Sequence, residues 1–172
     1  VSHVAPWQTG TTRTPSTAFC LLMKFLCMRL TEKQMLGLLH HQDSPYIRAI
    51  GFLYLRYTHP PKLLWDWIEP FLDDEEEITP SPDPSSKMTM GQYVQKIVSD
   101  MQYYGTMLPR IPVPIERKMK VLMLLHEEKK KRAALNRSQR HRLKPGAKIR
   151  AIYSDADNDP AWYEAEILQV EG

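Results

Sequence analysis

The stretch SPYIRAIGFLYLRYT, at Ser44–Thr58, limits the possible folds of this 172-residue chain more than any other feature. Apolar side chains cover nearly every face of the helix that its spacing predicts, so other elements must enclose that helix. Arg48 and Arg56 interrupt it eight residues apart, which places them about 80° apart around the axis and about 12 Å apart along it. Arginine suits bidentate carboxylate partners. The pattern predicts a core helix whose arginine edge meets carboxylates of the same chain, a partner protein or RNA phosphates.

Five further segments have the apolar spacing of helices. Ser16–Leu30 is apolar nearly all round, with only Lys24 and Arg29 charged, and is predicted to be the central core helix. Gly105 is predicted to end the helix of the segment Met90–Gly105 by taking the C′ position, just after its last turn. The remaining segments, in chain order, are Thr31–His41, Lys62–Leu72, Met90–Gly105 and Ile115–Gln139.

Capping residues and prolines predict where these helices begin and end. Thr31 and Thr89 are predicted N-caps, the first with a capping box, and Pro45 stands at a first-turn position. The segment LPRIPVP, at 108–114, cannot be a helix interior and is predicted to be an extended strap over the helices.

Two cysteines, Cys20 and Cys27, lie seven residues apart within the first apolar helix. On a helix they share a face about 10 Å apart, which is too far for a disulfide. They are predicted to be buried, reduced thiols, which is typical of an intracellular protein.

Charge divides the chain into parts. Between Arg117 and Arg150 the sequence has thirteen Lys or Arg residues and only two acids. The segments AKIRAIYS and WYEAEILQV alternate on either side of a predicted turn at 155–161, which is typical of a β-hairpin. We therefore predict a helical domain at 1–116, a basic helix or linker at 117–142 and a hairpin module at 143–172.

No pattern in the sequence predicts catalysis. Neither a Gly-rich phosphate loop, a nucleophile elbow nor a paired-carboxylate motif occurs, and the His and Cys residues lack metal-ligand spacing. No apolar run is long enough for a membrane span, and the start does not resemble a signal peptide. We predict no enzyme activity, no metal, no cofactor, no small-molecule substrate and no membrane association.

Two charged segments and several aromatic residues are candidate interaction sites. The acidic run, Asp73–Glu77, is predicted to be a solvated loop or a docking site for a basic peptide. The basic run, Glu127–Arg142, is predicted to be a solvated helix, an RNA contact or a nuclear import signal. Without interleaved aromatic residues, RNA contact by the basic run would be directed at the backbone and sensitive to salt. The candidate protein-binding residues are Arg48, Arg56, Trp65, Trp67, Asp73, Asp74, Glu75 and Glu76, and the candidate RNA or import residues are Lys129, Lys130, Lys131 and Arg132.

Several long motifs resemble the pre-mRNA-splicing factor 38 family, and its B-type members in particular. They occur in this order over roughly residues 1–116: HVAPW, STAFCLL, DSPYIRAIGFLYLRYT, PPKLLWDWIEPFLDDEEE and LPRIPVP. The resemblance implies a mainly α fold, with an all-helical domain that is incomplete at its N-terminal side because the family has further helices before the position of Val1. It also implies a nuclear, non-enzymatic scaffold that binds segments of other spliceosomal proteins and joins small nuclear ribonucleoproteins. Relatives have a longer glycine-rich stretch where this chain has QTGTTRT.

The C-terminal segment LKPGAKIRAIYSDADNDPAWYEAEIL looks like the first hairpin of a Tudor domain, an SH3-like barrel, of the splicing-factor-30 and survival-of-motor-neuron type. Such domains bind methylated arginine in an aromatic cage through cation–π contacts. The resemblance implies that Tyr153 and Tyr163 are the first two cage residues, whereas the rest of the cage comes from later strands. The leading interpretation is therefore a splicing scaffold. The alternatives are direct RNA binding through 117–150 and methylarginine reading through the hairpin.

Overall fold

The computed structural model describes residues 1–10, 13–155 and 159–169, and it divides the chain into two units, Val1–Lys120 and Val121–Gly172. The α-helices of the described part are α1 (Thr17–Met28), α2 (Glu32–Leu39), α3 (Pro45–Thr58), α4 (Leu64–Ile68), α5 (Met90–Ser99) and α6 (Val113–Ser138). Its strands pair antiparallel as β1 (Glu77–Ile78) with β2 (Met88–Thr89), β3 (Gln102–Tyr103) with β4 (Thr106–Met107), and β5 (Lys148–Tyr153) with β6 (Ala161–Glu166). The fold is mainly helical, as predicted.

The centre of the first unit is α3, against which α1, α2 and α5 all pack. Every residue from Arg48 to Arg56 is buried, so the continuous apolar run does form an enclosed helix. Phe52 meets the edge of the Phe71 ring at a centroid distance of 5.0 Å, which joins α3 to the segment after α4. Burying a side chain of this kind stabilises a fold by roughly 1.5–3 kcal/mol.

The prediction that Ser16–Leu30 is the central core helix is wrong. The helix forms, with Ser16 as its N-cap, but only Ala18 and Leu22 on it are buried. Cys20 and Cys27 are exposed free thiols, not buried ones. One side of α1 packs on α3, and its other apolar side faces outward because no described element covers it.

The capping predictions hold for α2 and α5. Thr31 and Thr89 each accept a hydrogen bond from the backbone three residues on, and the glutamine there reaches back to form a capping box. Between α3 and β1, the predicted single helix is three short pieces, with 3₁₀ turns at Pro61–Leu63 and Glu69–Phe71 flanking α4. Pro70 lacks a backbone N–H, which explains why α4 gives way to a 3₁₀ turn there.

Gly105 does not end a helix, contrary to prediction. The helix α5 ends at Ser99, and Tyr104 (φ 44°) and Gly105 (φ 80°) form the two-residue turn between β3 and β4. Positive φ at both central residues is the requirement of a type I′ hairpin turn. The first domain is therefore not all-helical, because β1–β2 and β3–β4 add two small sheets to it.

Of the predicted strap, only residues 108–112 lie outside helices and strands, and Leu108 and Ile111 there are buried. The following helix, α6, begins at Val113, and Pro114 lies in its first turn, where a missing N–H costs little. None of the helices in the described ranges has both the length and the apolar content needed to cross a bilayer.

In the second unit, β5 and β6 form the predicted hairpin, with Lys148 opposite Glu166 and Tyr153 opposite Ala161. Of the turn predicted at 155–161, residues 156–158 lie outside the described part of the chain.

Candidate functional site

Arg48 holds the acidic run against the central helix. Its Nη1 and Nη2 donate to Glu76 and Asp74, and its Nε donates to the Leu39 carbonyl oxygen at 2.9 Å. The guanidinium also lies 5.7 Å from the centroid of the Phe71 ring. Charge-assisted bonds to a guanidinium group are among the stronger hydrogen bonds in proteins. This cluster of contacts therefore fixes the acidic run, which is the loop between α4 and β1, in one position.

The pKa of Asp74 reflects this contact. Burial by itself would raise the pKa, but the Arg48 guanidinium and the backbone N–H of Glu76 together lower it below its usual value. Burial would likewise lower the pKa of Arg48, yet the two carboxylates raise it above the ordinary arginine value. Both groups are therefore charged at neutral pH.

The N-terminus of α5 closes over the same loop. Met90 N donates to the Glu76 carbonyl oxygen at 2.8 Å, and Gly91 N donates to the Asp74 carbonyl oxygen at 3.0 Å. A Cβ atom on Gly91 would lie 2.3 Å from the Leu72 carbonyl oxygen, so only glycine permits this approach. Three elements, α3, α5 and the loop, thus share one set of contacts.

Side chains of the acidic run alternate between inward and outward orientation. Asp74 and Glu76 turn inward to Arg48, whereas Asp73, Glu75 and Glu77 are exposed. Glu77 pairs with Lys87 at 2.6 Å on the surface. The run predicted as one acidic docking segment therefore has an inward half that serves the fold and an outward half that faces solvent.

Arg56 is 4% exposed and lies inside the first unit. Its Nε donates to the Ile97 carbonyl oxygen at 3.0 Å, in the last turn of α5. Burial lowers its pKa, against an opposing effect of Tyr57. A cation at this position satisfies a carbonyl that the end of a helix leaves without an intrahelical partner.

Trp67 lines a cleft of about 320 Å³, which we call the Trp67 cleft. His59 meets the Trp67 ring edge-on at 5.5 Å, and Glu32 stands in the same lining. Burial lowers the pKa of His59, although the charge of Glu32 opposes this. Trp65 is half-buried on the same helix but is not part of this lining. A cleft with an aromatic wall and a carboxylate suits a basic or amphipathic side chain.

A second, more apolar cleft of about 480 Å³ lies beside α1, and we call it the α1 cleft. Trp7, Phe19 and Met23 form its walls, together with Pro6, Pro15, Cys20 and Thr106. Met23 is 60% exposed. The prediction of α1 as a core helix put this side of α1 in the interior, so the cleft was not predicted. The all-round apolar pattern of α1 was the sequence signal for it.

In the second unit, the candidate basic residues Lys129, Lys130 and Lys131 are exposed on α6, and Arg132 is half-buried. Arg132 lies 5.9 Å from the centroid of the Trp162 ring on β6. The structure thus supplies the aromatic group that the basic run lacks in sequence.

Tyr153 and Tyr163 lie on one face of the hairpin, diagonally across the ladder. Their ring centroids are 6.1 Å apart and the rings are nearly perpendicular, at 82°. Both rings are about half exposed. Within the described residues, no group of three or more His, Cys, Asp or Glu side chains has the arrangement of a metal site.

Comparison with known sequences gives one family. Residues 1–120 match the sequence model of the PRP38 family. Pre-mRNA splicing factor SR-like 1 of Arabidopsis thaliana is 55% identical over 120 residues, which cover 69% of this chain and 30% of that protein. Pre-mRNA-splicing factor 38B of Homo sapiens is 43% identical over 135 residues, which cover 68% of this chain and 25% of that protein. The chain thus spans less than a third of the length of these relatives.

Among solved structures, a chain of the crystal structure of the Snu23-Prp38-MFAP1(217-258) complex of Chaetomium thermophilum is similar, with a TM-score of 0.59. The similarity covers 77% of this chain and 75% of that one, at 23% sequence identity. At this identity the match supports the fold alone.

Proposed function

The chain belongs to the PRP38 family, and we propose on this basis that it is a non-enzymatic scaffold of pre-mRNA splicing that binds segments of other spliceosomal proteins. The observation that carries the proposal is the family match over residues 1–120, which spans the whole first unit. The relatives matched over this region are pre-mRNA splicing factors. Action in the nucleus, in contact with small nuclear ribonucleoproteins, is part of the same proposal.

We assign the binding of partner segments to the outward parts of the candidate set. Trp67 supplies an aromatic wall, and Asp73 and Glu75 present carboxylates on the outer side of the loop. Arg48 supports the acidic run from inside through Asp74 and Glu76, whereas Arg56 supports the end of α5. A chain of the similar solved complex occurs together with Snu23 and MFAP1, and segments of proteins like these are the partners we propose.

The three-part organisation predicted from charge belongs to the same proposal. Residues 1–116 would form the scaffold, 117–142 a basic helix or linker, and 143–172 a separate module. The composition change near Leu143 and the antiparallel hairpin after it support this division.

The test is capture of partners from nuclear extract with the full chain as bait. We expect spliceosomal proteins to be recovered. We expect Trp67→Ala to reduce their recovery roughly fivefold, because the aromatic wall of the cleft is lost. Trp65→Ala is the matched control, since Trp65 is half-buried on the same helix outside the cleft. Recovery of no splicing protein by the unaltered chain would overturn the proposal.

A second candidate function is favoured by the geometry of Tyr153 and Tyr163. Two perpendicular, half-exposed rings 6.1 Å apart resemble two walls of a cage for a methylated cation. This is the role that the Tudor-like sequence pattern implies. We expect a dimethylarginine peptide to bind the full chain and Tyr153→Ala to abolish that binding. Equal binding of the unmethylated peptide would exclude a methylarginine reader.

A further inference from the structure

A cleft of about 1050 Å³ lies between α6 and the β5–β6 hairpin within the second unit, and we call it the basic cleft. Its volume is at the top of the range for small-molecule sites, roughly 300–1,000 Å³, so an extended ligand fits better than a compact one. Four cations line it, namely Lys129, Arg132, Lys148 and Arg150. Among the described residues, no carboxylate is part of the lining.

Glu164 and Glu166 lie opposite Arg150 and Lys148 across the hairpin ladder, and they line a different, smaller cleft with them. These carboxylates reduce the positive charge of the strand side. The α6 side contributes Lys129 and Arg132 to the basic cleft, together with the amide side chain of Asn136. The charge of the cleft therefore favours an anionic ligand, mainly through α6.

Trp162 is the aromatic member of the basic cleft. Trp162 is 51% exposed, and the guanidinium carbons of Arg132 and Arg150 each lie 5.9 Å from the centroid of its ring. The indole thus lies beside cations from α6 and β5, and about half of the residue stays open to solvent. A flat exposed ring beside cations is the arrangement on which unpaired bases stack.

We propose that the basic cleft binds single-stranded nucleic acid, with a base stacked on Trp162 and the flanking phosphates held by its four cations. An acidic peptide would match the charge but has no group that needs the indole. A duplex would match the charge too, but its stacked bases do not offer a face to the ring. Binding would be tolerant of sequence, because every base has a stacking face and the cations meet phosphates.

This inference is independent of the proposed scaffold function. The scaffold assignment depends on residues 1–120, and the basic cleft lies entirely beyond Lys120. It also differs from methylarginine reading, because Trp162 shares a face with Arg150 and Lys148, whereas Tyr153 and Tyr163 lie on the opposite face.

The experiment is titration of the full chain into a fluorescently labelled twelve-nucleotide RNA, with the DNA of the same sequence as a second arm, at 50–200 mM salt. We expect the logarithm of the binding constant to fall with the logarithm of salt with a slope of about −3, since each neutralised phosphate contributes about −0.7 in a single strand. Trp162→Ala should weaken binding roughly tenfold, whereas Trp162→Phe retains most of the affinity. Tighter binding of RNA than DNA would show contacts to the 2′-hydroxyl.

Two variants away from the hairpin keep the test valid if Trp162→Ala fails to fold. The double variant Lys129→Gln/Arg132→Gln on α6 should reduce the salt slope by about 1.4. The double variant Lys33→Gln/Lys62→Gln removes two exposed cations of the first unit and should change nothing. Tyr153→Ala should also leave the affinity unchanged.

Three results would overturn the inference. The first is no binding at 50 mM salt. The second is binding that neither the Trp162 variants nor the α6 double variant changes. The third is binding of a glutamate-rich peptide as tightly as the RNA, with the same dependence on α6, which would make the ligand an acidic protein segment.

Discussion

Arg48→Met is expected to lower the free energy of unfolding of the first unit by about 3 kcal/mol. Removing one partner of a buried ion pair costs roughly 3–5 kcal/mol, because the remaining charges stay desolvated without compensation. The side chains of Asp74 and Glu76 are 21% and 37% exposed, so water relieves part of this cost and the lower end applies. The Leu39 carbonyl oxygen loses its donor as well.

Urea unfolding followed by tryptophan fluorescence measures this change in the free energy of unfolding. The experiment uses a Trp162→Phe background, so that the three remaining tryptophans all report on the first unit. The matched control is Lys87→Met, which breaks the pair with Glu77. Those side chains are 56% and 65% exposed, and surface pairs contribute about 0–1 kcal/mol. Equal effects of the two substitutions would show that Arg48 does not hold the loop.

The same ion pair makes the free energy of unfolding of the first unit depend on pH in the acidic range. The folded pKa of Asp74 is lowered below its unfolded value, which is about 3.9. Its contribution is therefore complete above about pH 4 and is lost as the pH falls through the folded pKa. The unaltered chain should lose stability below about pH 4 more steeply than Arg48→Met, which has already lost the interaction.

Gly91→Ala is expected to cost about 3 kcal/mol, at the upper end of what overpacking costs. The added Cβ would lie 2.3 Å from the Leu72 carbonyl oxygen and 2.9 Å from the Leu72 carbonyl carbon. These are backbone atoms and cannot rotate aside, so α5 must move away from the loop. That movement would break the bonds from Met90 and Gly91 to the carbonyl oxygens of Glu76 and Asp74.

Gly37→Ala in α2 is the control, and it is expected to change the free energy of unfolding in the opposite direction. Nothing lies within 4 Å of a Cβ added there, and alanine is roughly 1 kcal/mol more favourable than glycine inside a helix. The same urea experiment should therefore show one Gly→Ala change that destabilises and one that stabilises. A stabilising or neutral Gly91→Ala would contradict the close approach of α5 to the loop.

Local features of the sequence predict much of the fold. The continuous apolar run of α3 requires enclosure wherever its neighbours lie. The capping boxes at Thr31 and Thr89 join residues only three positions apart. The alternation on either side of residues 155–161 predicts the pairing of β5 with β6. In the last two cases the interacting groups are close in sequence, so the pattern contains the interaction.

Contacts between distant segments explain why the predictions for α1 and Gly105 were wrong. The apolar α1 resembles a core helix in sequence, but burial depends on which elements cover it, and α3 covers one side only. Tyr104 and Gly105 continue an apparently helical pattern, yet the Tyr103 hydroxyl donates to the Val4 carbonyl oxygen, 99 residues away in sequence. A contact of this kind outweighs local helix propensity, which amounts to less than about 1 kcal/mol per residue.

The same distinction between local sequence features and contacts of distant segments applies to the candidate sites. Which residue types are available can be read from the sequence alone: two arginines on a core helix, a run of carboxylates, a run of cations and two hairpin tyrosines. How they combine depends on the packing of segments that are distant in sequence. Arg48 pairs with Asp74 and Glu76 because packing brings the acidic run against α3. Arg132 lies near Trp162 because the hairpin packs beside α6. Charge and apolarity are properties of a residue, but a binding surface is a property of the neighbours that packing brings to it.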